Sequence, residues 1–254
     1  MLSTVSVMII VAFWAAECLA FPIFIKAQWP LKCVKSFVWK MISATLFVGY
    51  GVYLMFAAGS SDVTFAKYMV IGLALGWLGD LLLHLTALKK DPGKVFTAIS
   101  FVTGLVAFLV GHIFYVLAYI DALKGLGKWN SGTIKAVIII VAVMLVGFVV
   151  AQLIVKLKLG IAVIPVALYA ATISTMLACA VMLAVNTFSV APEFAFIVAI
   201  GAVFFVISDG TLVFCLFGSD KAKESYPLKI VNLTTYFIGQ MLLASTIALY
   251  GLIK

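Results

Sequence analysis

Arginine is absent from this chain: all 17 basic residues are lysine. The planar guanidinium that grips a phosphate through two parallel hydrogen bonds is therefore missing, and any phosphate contact falls to lysine. Charge of either sign is scarce. Charged residues make up 10% of the 254 residues and hydrophobic ones 66%, against about 25% and about 45–50% in an ordinary soluble domain. That balance excludes a soluble globular domain. The four cysteines, Cys18, Cys33, Cys179 and Cys215, lie in or beside apolar stretches without metal-type spacing, and read as packing residues rather than disulfide or metal positions. The two histidines, His84 and His112, fall in different apolar blocks at different expected depths. No metal pair, glycine-rich phosphate loop or serine or cysteine triad stands out, so neither a metal nor a cofactor is implied.

What is present is apolar sequence in long blocks, with a mean hydropathy of +1.28. The blocks run to about 20 residues, the length that crosses a hydrocarbon core of about 30 Å. In lipid only helices and closed barrels satisfy their own backbone hydrogen bonds, and barrel strands alternate apolar with polar residues. These blocks are apolar all round. The expectation is an all-α, polytopic bundle of about eight spans, near 4–25, 37–58, 65–88, 95–121, 133–155, 160–187, 193–217 and 229–253. They form a single transmembrane domain over 1–254, with no loop long enough for another. The first block has no basic leader and carries Glu17, so it reads as a span rather than a signal peptide. The fourth, sixth and seventh blocks are long enough to require tilt.

The odd-numbered connections hold about 12 of the 17 lysines, among them Lys26, Lys32, Lys35, Lys89, Lys90, Lys94, Lys156, Lys158, Lys221, Lys223 and Lys229. The positive-inside rule places those loops in the cytoplasm and both termini outside. The +8 formal charge thus reads as topology and attraction to anionic lipid rather than nucleic-acid binding. The host membrane is a cell membrane in a bacterium or the endoplasmic reticulum in a eukaryote. Oligomeric state leaves no mark on the sequence. Trp29, Trp39 and Trp129, near block ends, read as interfacial anchors.

A short echo joins the halves: Gly79-Asp80-Leu81-Leu82-Leu83 in the third block resembles Ser208-Asp209-Gly210-Thr211-Leu212 in the seventh. Two four-helix halves related by an axis along the membrane normal would produce it; so would a chance match of one short pattern.

A charge near mid-membrane costs about 2.5–3.5 kcal/mol even on the permissive insertion scale, so each intramembrane charge needs a reason. Glu17, Asp80 and Asp209 each sit about eight residues from the lysine-rich end of their block, a depth of roughly 12 Å. Tyr169, Tyr236 and Gln240 count to the same level, while Lys40 and His84 lie nearer the lysine-rich surface. His84 follows Asp80 by one helical turn and shares its face. Two buried carboxyl groups can divide into a neutral acid and a carboxylate base. Such a pair can cleave an acid-labile bond by protonating one side and directing water at the resulting cation. Plainer readings stand beside this one. The aspartates can be structural acids paired with Lys40, the histidines packing groups, and Tyr169, Tyr236 and Gln240 interhelical hydrogen-bond partners. A proton-coupled transporter or a non-catalytic lipid-binding protein would also use intramembrane acids, although no Gly/Pro interruptions appear at matched positions in the two halves.

From Lys40 onward the residues resemble the YhhN-like membrane proteins, which include the lysoplasmalogenases. The resemblance rests on Gly76-Trp77-Leu78-Gly79-Asp80-Leu81-Leu82-Leu83, on Phe101-x-x-Gly104-Leu105-x-x-Phe108-Leu109-x-x-His112-x-x-Tyr115, on Gly201-Ala202-x-x-Phe205-x-x-Ser208-Asp209, and on Tyr236-x-x-x-Gln240. It implies an eight-helix hydrolase that cleaves the vinyl ether of a lysoplasmalogen, a single-chain lysophospholipid, to a fatty aldehyde and a glycerophospho-alcohol. The family's paired aspartates fall on Asp80 and Asp209. Its lysine entering the second span falls on Lys40, without the accompanying proline. Lys40 or a loop lysine would then hold phosphate, with Tyr169, Tyr236 and Gln240 positioning water or the glycerol hydroxyl. Glu17 lies outside the resemblance; His84, His112 and Ser208 complete the set of candidate supporting residues.

Overall fold

The computed structural model describes residues 3–29, 33–57 and 63–253; Lys32 and the boundary expected at 58 lie outside them. Among the described residues, eight helices are long and apolar enough to cross a membrane, and the chain is a polytopic helical bundle. In order these are α1 (Thr4–Ala27), α2 (Val34–Ala57), α3 (Thr64–His84), α4 (Gly93–Gly125), α5 (Ser131–Val155), α6 (Val163–Thr187) and α7 (Pro192–Phe217). A single turn, α8 (Asp220–Lys223), then leads into the eighth span, α9 (Tyr226–Leu249).

Helix starts follow local chemistry. The side chains of Ser3, Asn130, Ser219 and Ser225 each accept a backbone N–H from the first turn of α1, α5, α8 and α9, satisfying one of the donors that a helix start leaves free. Of the three blocks expected to be overlong, α4 is the longest, with 33 residues and a length of about 50 Å at 1.5 Å per residue. The sixth block is shortened because Gly160–Ala162 forms a separate 3-10 turn, in which Gly160 has a positive φ of 52°. The seventh keeps 26 residues, about 39 Å at the same rise, so it too exceeds a hydrocarbon core of about 30 Å.

The two tightest helix pairs are built alike. On α4, a Cβ at Gly111 would stand 3.1 Å from the carbonyl oxygen of Gly72 on α3; on α9, a Cβ at Gly239 would stand 3.4 Å from that of Gly201 on α7. Small residues let the backbones approach where side-chain burial alone supplies little drive for association in lipid. Gly72 precedes Asp80 by the same spacing that separates Gly201 from Asp209. Neighbour relations repeat as well: α1–α2, α2–α3, α3–α4 and α2–α9 in the first half correspond to α5–α6, α6–α7, α7–α9 and α4–α6 in the second. Part of the neighbour pattern thus repeats between the first four spans and the last four.

The correspondence is partial: α1 packs on α9, but their counterparts α5 and α4 do not pack along their length. α9 also packs against α3, whereas the counterpart pair, α4 and α7, does not pack along its length. Across that gap the rings of Phe101 and Phe217 meet edge to face, with centroids 6.1 Å apart. α9 is the most enclosed span and α5 the least, lying at the periphery against α6. The cysteines divide: Cys179 is buried, as a packing residue should be, but Cys18 and Cys33 are exposed, and all four thiols are free.

Candidate active site

A cavity of about 480 Å³ occupies the space that the missing α4–α7 contact leaves. Its inner end carries Asp80, Asp209, Lys40, Tyr169 and Tyr236, and its walls include Leu83, Leu105, Phe108, Leu212, Val213 and Leu216. Towards the lysine-rich end the lining turns polar, with Gln28, Thr86, Thr97, Lys223 and Lys229. One end is therefore ionisable, the middle apolar and the mouth cationic.

Asp80, on α3, is held on both oxygens. Lys40 Nζ on α2 lies 2.9 Å from Oδ1, in an ion pair whose side chains are 8% and 3% exposed. Tyr236 on α9 donates its hydroxyl to Oδ2 at 2.6 Å. Behind Tyr236 the donors run in one direction: Tyr115 donates to Gln240 Oε1 at 2.9 Å, and Gln240 Nε2 donates to the Tyr236 oxygen at 3.3 Å. Each bond polarises the next towards the carboxylate. Tyr236 and Gln240 are one turn apart on α9 and share a face, so one helix supplies two members of the chain.

Asp209, on α7, has a different setting. Tyr169 on α6 donates to its Oδ2 at 2.5 Å. Among the described residues no lysine lies within ion-pair distance of it. The two aspartates line one cavity. One buried carboxyl thus has a cation and the other a neutral phenol, because α2 offers Lys40 to Asp80 on α3 where α6 offers Tyr169 to Asp209 on α7.

The remaining expected residues take supporting places. Ser208, beside Asp209, is tied to α9: Asn232 Nδ2 donates to its carbonyl at 2.8 Å and to its hydroxyl at 3.1 Å. His84 lines the cavity one turn beyond Asp80, with Nε2 3.0 Å from the Ser36 hydroxyl. That hydroxyl also lies 2.7 Å from the Cys33 carbonyl. His112 is outside the lining. Its Nδ1–H donates to the Phe108 carbonyl at 2.7 Å, and its ring stands edge to face against Tyr169, with centroids 5.4 Å apart. It braces the phenol that holds Asp209, and its Nε2 is buried without a hydrogen-bond partner.

Two expectations need correction. Lys40 was a candidate to hold phosphate, but Asp80 occupies its ammonium, and the cations at the cavity mouth are Lys223 and Lys229. Glu17 shares the level of the aspartates yet does not line the cavity. It is 2% exposed, beside Ser43 of α2, and no hydrogen bond closes to either carboxyl oxygen. A count of residues along α1 gives an expected depth but not the direction in which the side chain points.

Asn232 and Ser36 were not anticipated, and Tyr115 was recognised only as part of a motif. Asn232 had a usable signal, since Asn232, Tyr236 and Gln240 repeat every four residues and so form one polar stripe on an apolar helix. Ser36 carried none, because a lone serine at a helix start reads as a cap.

Comparison with curated proteins and with solved structures gave no match. The model of the YhhN family matches residues 35–247, which include every residue of the two aspartate clusters and leave out all of α1 with Glu17. The chain belongs to the YhhN family.

Proposed function

We propose that the protein is a lysoplasmalogenase-type hydrolase, which cleaves the vinyl ether of a single-chain ether phospholipid. The observation that carries this reading is the unequal pair of carboxyl groups at the closed end of an apolar cavity with a lysine mouth. The YhhN family includes lysoplasmalogenases, and the shape suits a lipid with one chain and an anionic headgroup.

Chemistry assigns the roles. Asp80, matched by Lys40 and two steps of polarised donors, is the carboxylate. Asp209, with a phenol as its partner beside a charge already present, is the proton donor, because a second buried carboxylate would lack compensation. The donor protonates the alkenyl carbon remote from oxygen, and the ether carbon becomes an oxocarbenium ion that the Asp80 carboxylate stabilises. Water adds to that carbon and gives up a proton to carboxylate. The hemiacetal then breaks its bond to the glycerol oxygen, which takes a proton as the aldehyde forms. One water is consumed and no redox partner is needed. The apolar walls keep bulk water from the cation, and Lys223 and Lys229 hold the phosphate as point charges.

The test is aldehyde release by purified protein from a lysoplasmalogen, beside its saturated alkyl-ether analogue. The vinyl ether should turn over and the saturated ether should be inert, because it cannot form the cation by carbon protonation. Equal turnover of both, or of neither, overturns the reading.

A further inference from the structure

At the cavity mouth the rings of Trp29 and Tyr226 lie with centroids 4.9 Å apart and planes inclined at 45°, so that together they make an open wedge. A cation already rests there: Lys229 Nζ is 4.7 Å from the Trp29 ring centroid. Lys229 also lines the cavity, as does Gln28, the chain neighbour of Trp29. Trp29 is 36% exposed, and it adjoins the lining through Gln28 and Lys229.

The charges along the cavity are unevenly placed. Its lining holds Lys40, Lys223 and Lys229 against Asp80 and Asp209. Lys40 is committed to Asp80, and both acids lie at the inner end. The mouth therefore offers to a phosphate Lys229 and Lys223, the latter in a loose, exposed ion pair of 3.8 Å with Asp220 outside the lining, while the lining itself holds no carboxylate at the mouth for the positive end of a zwitterionic headgroup. The aromatic wedge is what it offers instead. A primary ammonium carries three N–H donors and a tight hydration shell, and gives these up only for good acceptors. A trimethylammonium has no donors to satisfy and is attracted by the faces of tryptophan and tyrosine.

We propose that Trp29 and Tyr226 form a quaternary-ammonium subsite that makes the protein prefer choline over ethanolamine headgroups. The proposal rests on reading the cavity as a lysophospholipid site. Lys229 is the exchangeable occupant of the wedge. A phosphate at the mouth draws its ammonium off the indole into a charge–charge contact, and the trimethylammonium two carbons from that phosphate takes its place. The ring keeps a cation throughout, so little is lost in the exchange.

Equilibrium binding of hydrolysis-resistant alkyl-ether lysophosphocholine and lysophosphoethanolamine to the full chain in detergent micelles tests this, alongside KM for the two vinyl-ether lipids. The choline lipid should bind more tightly. W29A should weaken it about 10-fold while moving the ethanolamine lipid by less than about 2-fold, a size expected of a partly desolvated cation–π contact. W29F, which keeps a smaller π face and the bulk, should fall between, and serves if the alanine variant does not fold. K229Q should weaken both lipids alike. A wild-type protein without headgroup preference, or equal losses for both lipids in W29A and W29F, overturns the subsite. If binding shows the preference and its loss but no aldehyde is ever released, the hydrolase reading fails and the subsite stands. If aldehyde is released without headgroup preference, the subsite alone fails.

Discussion

Lys40 and Asp80 form an ion pair of 2.9 Å in which neither side chain has appreciable access to solvent. The pair lies inside a bundle whose surroundings cannot solvate either charge. Each member is therefore tolerable only because of the other, and removing one leaves a buried charge unmatched.

The first prediction follows from that dependence. K40M should lower the stability of the purified protein by about 3–5 kcal/mol, the usual cost of stranding one member of a buried pair. K40M/D80N should recover much of the loss, because both charges are gone, yet remain inactive. Thermal unfolding in detergent, read together with aldehyde release, checks both halves. A double variant no more stable than K40M would show that the pair does not carry this coupling.

The aspartates themselves should be needed for turnover. D80N and D209N, each still folded, should reduce aldehyde release by about 10²–10⁴-fold, the range that positioned acid or base catalysis contributes. Near wild-type rates in both variants would remove the paired-carboxyl mechanism.

Tyr169 touches Asp209 rather than anchoring the bundle to a charge pair. Y169F should reduce kcat about 10-fold or more with KM little changed, because it alters the donor's surroundings and leaves the lysine mouth intact. Y236F should also destabilise the fold by about 1–3 kcal/mol, since it takes a donor from a buried carboxylate. Steady-state kinetics and unfolding midpoints for the two variants separate the effects.

Close helix approach makes its own prediction. G111L forces a side chain against the carbonyl of Gly72 and should cost at least about 1–3 kcal/mol by overpacking. G147A, on α5, meets no atom within 4 Å and should be neutral or stabilising by up to about 1 kcal/mol, through helix propensity. Loss of stability in G147A equal to that in G111L would mean that the α3–α4 crossing is not the sensitive contact.

Much of this arrangement is legible along the chain because hydropathy is a local property. Each span reveals itself by its own length, and Asp80 and Asp209 are conspicuous because so little else in their helices is polar. Their common depth follows from counting residues at a fixed rise. The echo between Gly79–Leu83 and the segment around Asp209 likewise needs no contact information, and part of the helix neighbour pattern repeats with it.

What a count along a helix leaves out is azimuth and partner. Glu17 and Asp80 share a level, but one points towards Ser43 and the other into the cavity. The sequence allows Lys40 to pair with either aspartate or to hold phosphate, and only α2 set against α3 gives it to Asp80; Tyr236 meets Asp80 across 156 positions of chain. The difference between the two aspartates belongs wholly to the tertiary structure. Alike in sequence setting, they become unlike because α2 brings Lys40 to Asp80 where α6 brings Tyr169 to Asp209, while α9 packs on α3 to add Tyr236 and α4 stands off from α7 to leave the cavity.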